Sequence, residues 1–245
     1  MYKKLLLLTL FVVLAMPMQA IAAQLEMLVI SYPPLAWEEN GKLTGVAPEV
    51  VEAIQARIND TSSKAITPWL RGYEQAQNMP RQAIFPIVRI PKREKLFKWV
   101  GPIFGEGDYF FKHKDSAIVV NTIDDAKKVK RIAVRKEGYT HQTLKAKGFT
   151  NLDVGPSYDA SYKKLAEDRV DLVLLGERTY YYMVKSAGLD PNLFERTGYK
   201  LADSSAWIAF SKDVPDATIE AWQKALDAIK ADGTFDKIMK HNFSR

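Results

Sequence analysis

Aromatic and positively charged side chains lie close together in the first third of the chain, and this combination can hold a small polar or anionic molecule. Trp69 and Arg71 are separated by one residue in the stretch TPWLRGYE, at the end of a predicted strand. An indole ring can stack on a ligand while a guanidinium pairs with its negative charge. Two simpler roles stay open, because Trp69 can belong to the core and Arg71 can cap or solvate the following helix.

A third aromatic candidate is Tyr32, which follows the first predicted strand, LEMLVIS, and precedes Pro33 and Pro34. Ligands of open α/β sheets lie outside the carboxyl ends of the strands. A ring at this position can therefore cover the face of a ligand and exclude water. The alternative is that Tyr32 packs on the two prolines, since tyrosine is often a partly buried packing residue.

Two further arginines, Arg89 and Arg93, stand four residues apart in the segment RIPKREK. The planar guanidinium fork of arginine can donate two parallel hydrogen bonds to a carboxylate. Arg93 belongs to the charge run KREK, and such runs usually lie in solvent. We favour an outer, solvent-facing position for Arg89.

Several kinds of site are excluded or disfavoured by composition. The chain has no cysteine, which excludes disulfides, thiol nucleophiles and thiolate metal sites. Its three histidines, His113, His141 and His241, are too far apart for the paired spacing of a zinc site. We therefore expect neither a metal nor another cofactor.

The net charge of +6 comes from Lys and Arg residues that are scattered among acids, as in KKLAEDRVD. The sequence shows no basic helix and no repeat of aromatic and basic residues, so nucleic-acid binding is not expected. A weak preference for anionic ligands stays open.

The N-terminus has the three-part pattern of a secretory signal peptide. Lys3 and Lys4 precede an apolar run over residues 5–16, and the small-residue stretch 20–22 follows. We predict that residues 1–22 are a cleaved signal peptide and that the mature protein is periplasmic. An uncleaved N-terminal anchor is the alternative, whereas a lipoprotein anchor is excluded because no cysteine lies at the junction.

Strands and helices alternate along the rest of the chain. After the first strand, the turn ENGKLTG predicts a hairpin and APEVVEAIQARI an amphipathic helix. A second series of alternating strands and helices starts near Lys130, which indicates parallel sheets covered by helices. The pattern predicts two α/β lobes, one formed by residues 23–112 and 206–245 and the other by residues 113–205, joined by two crossovers.

Five stretches of the chain, taken in their order, resemble a known protein family. They are YPPLAWEENGKLTGVAPEVVEAI, IPKREKLFKWVGPI, EGYTHQTL, LAEDRVDLVLLGE and the C-terminal AFSKDVPDATIEAWQKALDAIKADGTFDKIMKHNF. Together they resemble the family 3 solute-binding proteins, which deliver polar amino acids and related molecules to ABC importers. The resemblance implies the two-lobed type 2 periplasmic binding protein fold, in which two crossover strands join two mostly parallel sheets flanked by helices.

The same resemblance implies roles for individual residues. Arg93 matches the arginine that binds the ligand's carboxylate. Gly138, Tyr139 and Thr140 look like the family's Gly-Thr-Thr loop at a helix N-terminus, where backbone N–H groups and a hydroxyl bind an anion. Glu177 lies near the aspartate that pairs with a ligand ammonium group. The alternatives are that Thr140 is an ordinary helix cap and that Glu177 is solvated.

The sequence departs from the family pattern at three places. Gly176 holds the position of the family's aspartate, with Glu177 one residue late, and a slip of one residue at a strand end reverses the direction of a side chain. The run FPIV precedes Arg93 where small hydroxyl residues are typical, and Arg81 replaces an acid at the end of the preceding helix. Carboxylate recognition is therefore expected to transfer from the family better than ammonium recognition.

The resemblance implies a noncatalytic monomer that closes over a small polar or carboxylate-bearing molecule and delivers it to an ABC permease in the inner membrane. One alternative is an enzyme on the same fold, similar to cyclohexadienyl dehydratase, with Glu177 as general acid beside Arg93 and Arg71. A second alternative is a sensory or accessory protein with a degenerate cleft. Turnover of prephenate-like substrates would separate the enzyme from the binding proteins.

Overall fold

The structure is a computed structural model that describes residues 25–243, so the predicted signal peptide lies outside the described residues. The first part of the chain forms β1 (Glu26–Val29), the hairpin strands β2 (Trp37–Glu39) and β3 (Lys42–Thr44), α1 (Val46–Ile58), β4 (Ser63–Ile66), α2 (Trp69–Asn78), β5 (Gln82–Val88) and α3 (Pro91–Glu94). The hairpin turns at Asn40 and Gly41, both with positive φ, as the NG pair predicts.

The second part starts with a long strand. It forms β6 (Lys98–His113), α4 (Ile123–Lys128), β7 (Ile132–Arg135), α5 (Tyr139–Ala146), β8 (Leu152–Gly155), α6 (Tyr158–Ala166), β9 (Leu172–Gly176), α7 (Tyr180–Ser186) and a short 3-10 turn (Pro191–Leu193). A second long strand, β10 (Phe194–Phe210), precedes the closing helices α8 (Asp216–Ala231) and α9 (Thr234–Phe243).

Eight strands form one continuous ladder in the order β4-β1-β5-β10-β6-β9-β7-β8. The outer strands on each side run parallel: β1 pairs with β4 and β5, and β7 pairs with β8 and β9. In the middle, β6 and β10 run antiparallel to each other, from Lys98 opposite Phe210 to His113 opposite Phe194. These two strands are the crossovers between a first lobe, built on β4, β1 and β5, and a second lobe, built on β9, β7 and β8.

Each lobe has apolar clusters of its own. In the first lobe, Trp222 of α8 is fully buried and packs edge to face on Phe210 with ring centroids 5.4 Å apart. In the second lobe, Phe110 of β6 lies with Leu144 of α5 and Leu174 of β9. Full burial of one such side chain stabilises a fold by about 1.5–3 kcal/mol.

The predicted two-lobed α/β fold is confirmed, and one group of elements differs from its prediction. The composition of YFFKHKDSAIVV predicts two strand pieces, but residues 98–113 form the single strand β6. The composition of SAWIAFS predicts a strand, and this stretch lies at the end of the longer β10. The predicted lobe limits fall within these two strands, at residues 112/113 in β6 and 205/206 in β10. They stay a prediction. No helix of residues 25–243 is long and apolar enough to cross a membrane.

Candidate functional site

A cavity lies between the two lobes, where the carboxyl ends of β1, β5 and β7 meet. This is the edge at which open α/β sheets bind ligands. The lining residues are Ile30, Tyr32, Leu35, Trp69, Pro86, Ile87, Val88, Arg93, Phe104, Glu106, Asp108, Arg135, Tyr139, Tyr158, Ser204 and Ala206. Two arginines, two acids and several aromatic rings therefore line one cavity whose surface is mostly apolar.

Arg93 of α3 is the most buried charged side chain of the site, at 1% exposed. Its Nε donates to Gln142 Oε1 at 2.9 Å, Nη1 to the Val88 carbonyl at 2.9 Å and Nη2 to the Glu137 carbonyl at 3.3 Å. Tyr73 also contacts this guanidinium, which has five N–H groups in all, so the protein does not use every donor that Arg93 offers to a ligand. Burial lowers the pKa of Arg93 to about 10, which leaves it charged at neutral pH.

A second guanidinium, that of Arg135, lies at the end of β7. Its Cζ is 4.6 Å from the centre of the Trp69 ring and 4.1 Å from that of Tyr158, while the Cζ of Arg93 is 5.0 Å from the Trp69 ring. The Nε of Arg135 is buried and has no hydrogen-bond partner among the described residues. Trp69 thus holds two positive charges at the cavity by cation–π contact.

Two acids of β6 lie in the same cavity. Glu106 accepts hydrogen bonds from the backbone N–H groups of Arg178 and Thr179 at 3.0 and 3.1 Å, and from Thr179 Oγ1 at 2.9 Å. Burial raises the pKa of Glu106 to about 7. Asp108 accepts a hydrogen bond of 2.5 Å from the Tyr139 hydroxyl, and burial raises its pKa to about 6.

Aromatic side chains cover the cavity from both lobes. The ring of Tyr32, from the loop after β1, meets that of Tyr158 edge to face at 5.8 Å. The Tyr32 hydroxyl lies 3.5 Å from Thr179 Oγ1, and burial raises the pKa of Tyr32 well above its usual value. These rings exclude water from the charged groups, which strengthens their interaction with a ligand.

The sequence comparisons agree with this architecture. A family model of the bacterial extracellular solute-binding proteins, family 3, matches residues 27–245. The chain belongs to this family. A relative in Bacillus subtilis (strain 168), the probable amino-acid-binding protein YxeM, is 24% identical over 221 residues, which are 86% of this chain and 80% of the relative.

Solved structures share the fold at lower identity. A histidine kinase sensor domain with similarity to periplasmic binding proteins has a TM-score of 0.79 and 16% identity, over 89% of this chain and 95% of that one. An ancestral arginine-binding protein bound to arginine has a TM-score of 0.76 and 20% identity, over 89% and 97%. The GluR0 ligand-binding core from Nostoc punctiforme, in complex with L-glutamate, has a TM-score of 0.75 and 19% identity, over 90% and 100%.

The structure brings half of the residues suggested by the sequence into the cavity of this family 3 protein. Tyr32, Trp69, Arg93 and Tyr139 line it. Gly138 is the N-cap residue of α5, where an added Cβ would lie 3.0 Å from the Arg135 carbonyl oxygen.

Thr140 is not among the residues that line the cavity and does not cap a helix. Its side chain is buried, it occupies the second position of α5, and its Oγ1 has no hydrogen-bond partner among residues 25–243. The ordinary cap considered for Thr140 is therefore not what the structure shows.

Arg71 and Glu177 lie away from the cavity lining. Arg71 is exposed on α2. Glu177 pairs with Arg196 at 3.2 Å and accepts a weak hydrogen bond from the Gly107 N–H at 3.4 Å. The structure thus does not assemble Glu177, Arg93 and Arg71 into the catalytic set considered for a dehydratase.

Arg89 also lies outside the cavity, as we expected. It forms an ion pair with Glu94 at 2.5 Å, and its Cζ is 4.7 Å from the centre of the Trp207 ring.

The sequence-based interpretation missed Arg135, Glu106 and Asp108. Arg135 ends a strand that was predicted, so its position at a carboxyl end was a usable signal. The two acids lie in GEGDYF, where two glycines interrupt the alternation that would mark a strand. Within residues 25–243, no group of three or more His, Cys, Asp or Glu side chains could hold a metal ion.

Proposed function

We propose that this protein is a noncatalytic periplasmic binding protein whose lobes close over a small molecule that carries a carboxylate, held by Arg93 and Arg135. The observation that carries the proposal is the pair of guanidiniums at the cavity. None of the ion pairs among the described residues involves either arginine. A buried charge without a partner raises the free energy of the folded protein. A ligand carboxylate that pairs with the two guanidiniums removes part of this penalty, which favours binding.

The remaining groups of the cavity favour an amino acid or a related organic acid. Aromatic rings of Tyr32, Trp69 and Tyr158 can cover an apolar stem, and the acids of β6 can accept hydrogen bonds from a polar group. The names of the relatives point the same way, since YxeM is called a probable amino-acid-binding protein and the ancestral protein is bound to arginine.

Closure of the lobes provides the signal for a partner. Arg93 of the first lobe donates to Gln142 and to the Glu137 carbonyl of the second lobe, and Lys92 forms an ion pair with Glu137 at 3.1 Å. A ligand that binds both lobes stabilises this closed state over an open one. The partner that we propose to recognise it is an ABC permease in the inner membrane, with the binding protein as a monomer.

The test compares Arg93→Gln with Arg89→Gln. The mature wild-type protein is screened by thermal shift against the standard L-amino acids and small mono- and dicarboxylates, and native mass spectrometry identifies any copurifying molecule. We expect the best ligand to raise the melting temperature of the wild type and of Arg89→Gln, and to leave that of Arg93→Gln unchanged.

The melting temperatures without ligand show whether both variants are folded. Equal ligand shifts in the two variants, or no ligand for the wild type by either method, would contradict the proposal.

A further inference from the structure

The space beside Gly176 is filled by a side chain from another strand. Gly176 ends β9 in strand conformation, and its φ lies outside the positive range that favours glycine. A Cβ added to Gly176 would lie only 1.9 to 2.1 Å from the carboxyl carbon and oxygens of Glu106. The Glu106 carboxyl group therefore occupies the volume that a side chain at position 176 would take.

The Glu106 carboxylate is fixed at the cavity and lacks a cationic partner. Two backbone N–H groups and the Thr179 hydroxyl hold it from the side of α7. The guanidinium of Arg178 donates elsewhere, to the Gly105 carbonyl at 3.2 Å. In the part of the chain that the structure describes, no Lys or Arg forms an ion pair with Glu106.

We propose that Glu106, from the crossover strand β6, supplies the negative charge that binds a protonated amino group of the ligand. The loop after β9, where the sequence led us to expect an acid, does not supply it. This inference rests on the proposed function, because it assigns the second end of the same ligand. Arg93 and Arg135 bind a carboxylate and Glu106 binds an ammonium group, so the ligand class is a zwitterion.

Asp108 supports this assignment from the same strand. It lies two residues further along β6, faces the same cavity and is held by the Tyr139 hydroxyl. The two carboxyl groups and two guanidiniums that line the cavity match the two opposite charges of an amino acid and disfavour a simple carboxylate.

The first test uses pairs of probes that differ only in the α-amino group: L-phenylalanine with 3-phenylpropanoate, L-glutamate with glutarate, and L-leucine with 4-methylpentanoate. Calorimetric titration of the wild type is expected to show binding of at least one amino acid at least tenfold tighter than its deaminated analogue. Glu106→Gln keeps the shape and the hydrogen-bond acceptor but removes the charge. It is expected to weaken binding of that amino acid at least tenfold and that of the analogue less than threefold.

The other possible results distinguish failure of the proposed function from failure of the role of Glu106. A wild type that binds none of these probes and no other small carboxylate overturns the proposed function itself. A wild type that binds deaminated analogues as tightly as amino acids leaves the proposed function standing and overturns the role of Glu106. The role of Glu106 is also overturned if Glu106→Gln weakens both members of a pair equally. Glu177→Gln, which removes a carboxylate outside the cavity, is the matched control and is expected to bind like the wild type.

A second test moves the charge. Glu106→Ala removes the atoms that fill the space beside Gly176, so the double variant Glu106→Ala/Gly176→Asp can place a carboxylate there. We expect Glu106→Ala to lose the preference for the amino acid and the double variant to regain at least tenfold of it. Gly176→Asp alone is expected to lower the melting temperature, because it collides with Glu106. A double variant that melts like Glu106→Ala but regains no preference would overturn the proposal.

Discussion

Glu106 is a buried acid whose ionisation is altered by the fold, and its effect on stability can be measured without a ligand. Burial raises its pKa from 4.5 to about 7, with Asp108 adding a smaller repulsion. The folded state therefore holds this proton more tightly than the unfolded state. As pH rises from 4.5 to 7, unfolding releases a proton that folding retains, so the unliganded protein loses stability over this range. The loss approaches roughly 3 kcal/mol and is complete above pH 7.

Urea unfolding of the wild type and of Glu106→Gln at pH 5 and pH 8 measures this effect. We expect the wild type to be more stable at pH 5 than at pH 8 by a larger margin than Glu106→Gln, because glutamine cannot ionise. Asp108 and Tyr32 are present in both proteins, so the difference between the two pH dependences measures Glu106 together with its repulsion of these two groups. Identical pH dependence in the two proteins would show that Glu106 is not shifted by burial.

At the same scale, Arg93 shows what a sequence can and cannot predict about a site. Its function was expected from the family resemblance, but its burial was not, because Lys92, Glu94 and Lys95 around it are typical of a solvated run. The structure resolves this by turning Arg93 inward onto Trp69 while its neighbours face solvent. The roles of Arg135 and Glu106 could not be predicted from the residues alone, since they depend on which strands meet at the cavity.

Among the secondary-structure elements, the crossover strands differ most between the prediction from sequence and the structure. The short parallel strands were predictable because runs such as VDLVLLG are apolar and bounded by helices. The strand β6 was not, because Gly101, Gly105 and Gly107 interrupt its alternation. Gly101 serves a purpose there: its φ is +152°, and an added Cβ would lie 2.6 Å from the Trp207 ring of β10.

This contact gives a prediction for the stability of the pair of crossover strands. Gly101→Ala is expected to lower the free energy of unfolding by roughly 2–4 kcal/mol, because it combines backbone strain with a collision against an aromatic ring. Gly105→Ala is the control in the same strand, since its φ is not in the positive range and the nearest atom to an added Cβ is 3.6 Å away. It is expected to change stability by less than about 1 kcal/mol. Urea titrations of both variants measure these changes in the free energy of unfolding. Equal losses of stability in the two variants would contradict this role of Gly101.

At the scale of the whole molecule, the proposed function makes binding depend on the fraction of closed protein, and a contact beside the cavity is expected to affect this fraction. Arg178, just before α7 of the second lobe, has its Cζ 4.7 Å from the Phe104 ring and 4.6 Å from the Phe243 ring of α9. Phe104 and Phe243 pack on the core of the first lobe and stack on each other at 5.5 Å. Because Arg178 lies on one lobe and Phe243 on the other, opening must separate them.

Arg178→Ala is therefore expected to shift the unliganded protein toward the open state. It should weaken binding of every ligand by the same factor, about threefold to thirtyfold, because the fraction of competent protein falls while the cavity contacts stay. Small-angle scattering should show a larger radius of gyration without ligand and the wild-type value at saturation. Arg169→Ala, which removes an exposed ion pair with Glu167 on the second lobe, is the control and should change neither quantity. A loss that differs between an amino acid and its deaminated analogue would mean that Arg178 acts on the ligand's ammonium site through Glu106, and the closure argument would fail.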